Sequence, residues 1–284
     1  MNDHRAYSSD IVAVSKGVLV EVFALLQRER EHCVLVGGWP PFLLTERYKP
    51  AGTEFSHIGS VDIDVALDFE RMPRLEEVYE GIREKLERAG FGPRLGRTGQ
   101  PLEFSMEKLV GKSVMHVDFL APAAGGTDSG HRHQRAQDLL ALKARGCEVA
   151  FQNNELFEVE AVMPAGARHK VSIQVAGPAA VLTMKTLAFS EDPGRIKDAY
   201  DICSILRYYK AGPASVAAEF RPFLGSAIVQ EARRKLAESF RAMDAVGPVG
   251  LANFRLPEQP GTPDWDLERR NGYEAVQRFL EALG

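Results

Sequence analysis

The chain has 284 residues, enough for one large domain or a core with a smaller companion. Hydrophobic residues make up 45% and charged residues 26%, an ordinary globular balance that argues against a disordered or fibrous chain. The 35 basic and 39 acidic side chains leave a net charge of −4, which excludes a global electrostatic pull on nucleic acid but leaves a local basic face open.

Taken in chain order, Ile11 to Glu31 reads as a helix. Ser8, Ser9 and Asp10 offer caps, and Ile11, Val14, Val18, Val22, Leu25 and Leu26 recur at helical spacing. Cys33-Val34-Leu35-Val36 is a buried strand ended by Gly37-Gly38. A short helix follows from Trp39 to Glu46, with Pro40 and Pro41 in its first turn. Ser60 to Phe69 alternates as a strand, Leu75 to Ala89 is an amphipathic helix, and Phe91 to Lys108 forms a hairpin around Gly96 to Gly99. Val114 to Leu120 is a strand, Pro122 to Arg135 a Gly-rich loop, and two or three strands fall between Cys147 and Val175. Beyond that point the pattern is helical: Gly177–Ser190, Lys197–Lys210, Pro213–Leu224, Ser226–Asp244 and Asp266–Leu283. The expected fold class is α/β (α+β), a mixed β-sheet core flanked by helices over 1–175, with a helical C-terminal domain over 176–284.

Cys33, Cys147 and Cys203 are odd in number and far apart, with neither a zinc spacing nor a disulfide framework. The first ten residues lack the apolar stretch of a signal peptide, and no run is apolar enough to span a bilayer. The expectation is a cytoplasmic protein with reduced, buried cysteines and no membrane partner.

The most informative segment is Gly59-Ser60-Val61-Asp62-Ile63-Asp64. Residues two apart on a strand share a side, so Asp62 and Asp64 stand together while Val61, Ile63 and Val65 face a core. Neighbouring carboxylates repel and call for compensation, for which magnesium is suited because it takes oxygen ligands shared with phosphates. Upstream, Gly37 and Gly38 allow close backbone approach before a helix start that favours phosphate. Downstream, Asp118 lies opposite Val117 and Phe119 on a later strand, as a third metal ligand or general base.

A glycine turn, a D-x-D pair and a third aspartate in this order resemble the nucleotidyltransferase superfamily with its polymerase-β-like fold. The matching residues are Gly37, Gly38, Gly59, Ser60, Asp62, Asp64 and Asp118. The resemblance implies that Asp62, Asp64 and Asp118 hold two magnesium ions, and that the glycine turn and the serine hold a triphosphate. It further implies in-line attack by an acceptor on the α-phosphorus of an NTP, with pyrophosphate leaving. In many relatives the glycine turn runs almost directly into D-x-D; here a helix and the Tyr48-to-His57 loop intervene, and Gly59-Ser60 forms a second glycine signal.

Lys185 sits in an apolar helix, where an ammonium must reach solvent or find an anion. Arg195-Ile196-Lys197-Asp198-Ala199-Tyr200-Asp201-Ile202 follows. Together these look like the AbiEii branch of the superfamily, whose members act as toxins in toxin–antitoxin and phage-defence systems. The resemblance implies that Lys185 contacts nucleotide phosphates, that Lys197 and Asp198 belong to the site, and that Asp201 orients them. The implied acceptor is an RNA end, such as that of tRNA, or a protein side chain, and a cognate antitoxin is an implied partner. The alternatives are a small-molecule, antibiotic-type nucleotidyltransferase and a non-catalytic nucleotide-binding relic. His131, His133, Arg132 and Arg135 in the Gly-rich loop read as solvent-exposed or acceptor-facing. Arg233, Arg234, Lys235 and Arg241 read as one basic helix face, and Arg94 and Arg97 as hairpin charges without a fixed role.

Overall fold

A computed structural model describes residues 3–69, 71, 81–123, 133–136 and 138–284. These residues form a mixed α/β architecture with helices at the C-terminal end, as the alternation of periodicities implies. The chain divides into two compact units. One comprises Ser8–Trp39 and Ser60–Ala176; the other comprises Met1–Tyr7, Pro40–Gly59 and Gly177–Gly284. The helical unit is therefore discontinuous in sequence, because it takes in the short segment 40–59 from between the first two strands.

Among the described residues, the first unit contains a nine-stranded mixed sheet. Its strands are β1 (Cys33–Val36), β2 (Ile63–Leu67), β3 (Gly92–Leu95), β4 (Pro101–Val110), β5 (Ser113–Pro122), β6 (His133–Ala136), β7 (Leu139–Ala144), β8 (Asn154–Val162) and β9 (Arg168–Ala176). The order is β3-β4-β5-β2-β1-β9-β8, with β7 pairing β5 and β6. β1 runs antiparallel to β2 and parallel to β9, while β2 runs parallel to β5. β5 shows the alternation that sequence predicts: Met115, Val117, Phe119 and Ala121 are buried on one face.

Helix α1 (Ser9–Leu25) starts where Ser8 accepts the Ile11 N–H, and it packs on β8 and β9. Gly17 permits that approach, since a Cβ there would lie 2.3 Å from the Val162 carbonyl oxygen. The helix ends six residues before the expected Glu31. Glu29 turns inward instead, 1% exposed, and accepts from Lys85 Nζ at 2.5 Å. α3 (Ile82–Arg88) covers the end of the expected Leu75–Ala89 helix, the start of which lies outside the described residues. The same holds for most of the Gly-rich loop, including His131 and Arg132; its last residues, His133 to Arg135, belong to β6. α4 (Cys147–Ala150) is a single turn.

The second unit holds most of α2 (Trp39–Tyr48), then α5 (Pro178–Glu191), α6 (Ile196–Tyr208), α7 (Pro213–Phe220), α8 (Ala227–Ser239), α9 (Val246–Arg255) and α10 (Pro263–Leu283). α5 is apolar nearly all round and buried, touching α6, α7 and α8. Phe220 of α7 meets Phe279 of α10 edge to face at 5.4 Å. Gly272 brings α10 close to α9, because a Cβ there would lie 2.5 Å from Leu251. Among the described residues, no helix is long and apolar enough to cross a membrane. All three cysteines are free and buried.

Candidate functional site

In the sheet unit, strand register builds a row across four strands: Val36 of β1, Asp64 of β2, Asp118 of β5 and Ser105 of β4 are successive partners. Asp64 and Asp118 thus share one face in adjacent register, as the alternation predicts. Asp62 is a correction. β2 begins at Ile63, so Asp62 lies on the bend leading into it, with its side chain 55% exposed. Gly59 at φ +88° breaks the extended run, and the Ser60 hydroxyl donates to the Asp62 carbonyl at 3.3 Å. Asp62 Oδ1 lies 3.3 Å from Nδ1 of His116, two residues before Asp118 on β5. The other ring nitrogen of His116 is 3.5 Å from Glu107.

Asp118 is mostly buried. Its Oδ1 accepts a short bond from the Ser105 hydroxyl and lies 3.8 Å from Arg94. Burial raises its pKa above the ordinary carboxylate range, and Asp62 pushes the same way, against Ser105, Arg94 and His116. Sequence reasoning left Arg94 unassigned and missed Ser105 and His116. Only the register of β4 on β5 puts the serine beside the acid, and register is a tertiary property.

The Gly37-Gly38 turn serves a different end from the one expected. Gly37 has φ +74°, and a Cβ there would lie 1.9 Å from Asp64 Oδ2. The room left by the missing side chain is filled by the Asp64 carboxylate rather than held open for phosphate. Gly38 is buried. Pro40 and Pro41 in the first turn of α2 remove two of its N–H donors, which weakens that helix start as an anion site.

Magnesium takes hard oxygen donors, and Asp62, Asp64 and Asp118 supply only these. Asp64 and Asp118 stand in register, while Asp62 Oδ1 is turned toward His116. Among the described residues, no group of three or more His, Cys, Asp or Glu side chains is arranged to hold a metal. The three donors suit magnesium in chemistry, and two of them, Asp64 and Asp118, stand in register.

In the helical unit, Lys185, Lys197, Asp198 and Asp201 form a buried ion network. Lys185 Nζ donates to Asp198 Oδ1 at 2.6 Å and pairs with Asp201 Oδ2 at 2.8 Å. Lys197 donates to both oxygens of Asp201, at 2.9 and 3.0 Å, and Arg195 Nε donates to Asp198 Oδ2 at 2.7 Å. Lys185 therefore finds its anion inside the protein, and the residue is 9% exposed. Burial opposes its charge, but Asp198 and Asp201 hold its pKa well above the ordinary lysine value. Burial lowers that of Lys197. For Asp201, burial is outweighed by Lys185, Lys197 and His57, which hold it far below the usual carboxylate range. His57 completes the network and was missed, since a lone histidine in a loop carries no pattern. Its Nε2 lies 3.1 Å from Asp201 Oδ1, and Gly59, one of the predicted phosphate-binding residues, donates its N–H to His57 Nδ1 at 3.0 Å. No family model, curated protein or solved structure matches the chain.

Proposed function

We propose that this protein is a magnesium-dependent nucleotidyltransferase that moves an NMP from an NTP to an acceptor and releases pyrophosphate. The observation that carries the reading is the in-register pair Asp64 and Asp118, with Asp62 two residues before Asp64 on the approach to the same strand. Two carboxylates kept side by side on a mostly buried row cost stability, and a bound cation removes that cost. Asp62, Asp64 and Asp118 would hold one or two magnesium ions, which when bound neutralise charge on the attacking and leaving oxygens.

The residues of the chain supply the rest. Asp118 has its Oδ1 held by Ser105, which leaves Oδ2 to take the proton of an acceptor hydroxyl. Asp64 is fixed by its seat on Gly37. Of the two glycine turns, Gly59-Ser60 is the better triphosphate cradle, because Gly37 is filled by Asp64 and α2 opens on two prolines. Lys185, Lys197 and Asp198 enter as a buried framework rather than as phosphate ligands. The resemblance to the AbiEii branch favours an RNA end or a protein side chain as acceptor, within a toxin–antitoxin pair.

The test is incorporation of labelled nucleotide into total tRNA, into the protein itself, and into a panel of aminoglycosides and lincosamides. Incorporation that needs magnesium and is lost in the Asp62→Ala, Asp64→Ala double variant supports the reading. Undiminished incorporation in that variant eliminates it, and labelling confined to the antibiotics moves the acceptor to the small-molecule class.

A further inference from the structure

The segment from Ser56 to Gly59 has no regular secondary structure, yet it is tied down at each residue. Ser56 Oγ donates to Glu46 Oε1 at 3.3 Å, the Ile58 N–H donates to the Tyr200 hydroxyl at 3.0 Å, and the Gly59 N–H donates to His57 Nδ1. The His57 ring is fully buried. Tyr200 lies 4.9 Å from it between centroids, and the rings of Phe42 and Phe55 approach edge-on. The charged groups facing it are Asp201, in contact, and then Lys197 and Lys185.

The hydrogen bonds decide the state of the ring. A ring nitrogen that accepts a hydrogen bond carries no hydrogen, so Nδ1, which takes the Gly59 N–H, is bare. Nε2 must then carry the proton and donate it to Asp201. This side chain accepting from the N–H two residues on works like an Asx turn. It holds Gly59 at φ +88°, a conformation that a residue with a side chain would resist.

We infer that His57 is a positioning residue: fixed as the neutral Nε2–H tautomer between Asp201 and the Gly59 N–H, it holds the backbone of Gly59 in its left-handed turn. Its effect on nucleotide rests on the transferase reading above; its tautomer and its hold on Gly59 do not. Protonation of Nδ1 would put two N–H groups against each other and release Gly59.

The two bonds can be cut separately. In His57→Asn the side-chain oxygen replaces Nδ1 and keeps an acceptor for Gly59, whereas His57→Gln extends a donor toward Asp201 and loses that acceptor. Nitrogen-15 spectra of the wild-type protein are expected to show the neutral Nε2–H form of His57 from pH 5.5 to 8. Gly59 amide exchange is expected to be slow in wild type and Asn, and at least tenfold faster in Gln. A Nδ1–H form, an imidazolium at pH 6, or equal exchange in Asn and Gln overturns the inference. Where transfer activity is measurable, Gln raises KM for NTP about tenfold more than Asn, with kcat changed little. Equal KM values also overturn it. A wild-type protein that transfers no nucleotide defeats the transferase reading alone, because the spectra and the exchange rates are read without turnover.

Discussion

Asp64 and Asp118 are direct register partners across the parallel strands β2 and β5, and Ser105 stands next in the row. The acid at 118 is held above its ordinary pKa by burial and by Asp62. A carboxylate whose folded pKa is raised favours folding while protonated, and that benefit is lost as pH rises through the raised value. Without metal, Asp118→Asn is therefore expected to melt above wild type at pH 7, with the gap closing toward pH 4. Magnesium reverses the order. At ten times a millimolar Kd it stabilises wild type by roughly 1.4 kcal/mol, about 3 °C, and leaves the variant unmoved. Scanning fluorimetry at both pH values, with and without 10 mM magnesium, checks both statements. An equal magnesium shift in the two proteins refutes the metal assignment.

Gly37→Ala tests the seat of Asp64. The new methyl would enter the space of the carboxylate, 1.9 Å from Oδ2, at a backbone position with φ +74°. The left-handed backbone alone costs about 1–2 kcal/mol, and Asp64 must swing away as well. The expected result is a loss of about 2 kcal/mol in urea unfolding and a fall in transfer rate of roughly a hundredfold, since misplacing a reacting group by an ångström costs that much. A rate fall no larger than that of a matched exposed glycine such as Gly111→Ala would show that Asp64 needs no such seat.

The parts of this architecture governed by local pattern were legible in the chain. The alternation of β5 and the acids at 64 and 118 follow from a period of two, and α5, α6 and α10 from apolar spacing. The missed elements are those where packing overrides propensity. β7, Leu-Leu-Ala-Leu-Lys-Ala, has helix-forming residues and becomes a strand because β5 and β6 pair with it. α9, in a stretch left unassigned from sequence, carries Gly247, Pro248 and Gly250, residues that disfavour a helix. Pro248 is tolerated in its first turn, and a Cβ on Gly247 would strike the Phe240 ring at 2.4 Å. At the site, the acids were readable, whereas Ser105, His116 and His57 were not, because their partners lie 13, 54 and 144 residues away.

The ion network of the helical unit orders a third set of variants. Asp201 takes Lys185, Lys197 and His57, with its side chain fully buried; Asp198 takes Lys185 and the half-exposed Arg195. Asp201→Ala takes the carboxylate from Lys197 and the ring partner from His57 and leaves Lys185 with Asp198 alone; it is expected to cost about 3–5 kcal/mol. Asp198→Ala is expected to cost less, because Lys185 keeps Asp201. Urea denaturation ranks the pair, and a larger loss at Asp198 would place the centre of the network elsewhere.

The same network fixes how stability depends on pH. Burial pushes the His57 pKa down to about 4, against the pull of Asp201, so the unfolded chain binds this proton more readily than the folded one. The folded state then gains stability as pH rises from 4 to 6.5, and loses it as pH falls through the same window. The full span is worth roughly 3 kcal/mol at its upper limit. Asp201, also depressed, adds its own loss only below about pH 4, the unfolded carboxylate range. The His57 contribution to the wild-type urea midpoint is thus expected to fall steadily from pH 7 to pH 5, against the opposite trend from Asp118. His57→Gln removes this titration, so the difference between the two proteins shrinks as pH is lowered to 5. A difference that stays constant over pH 5 to 7 would mean that the ring titrates normally, and that Gly59 is held by something else.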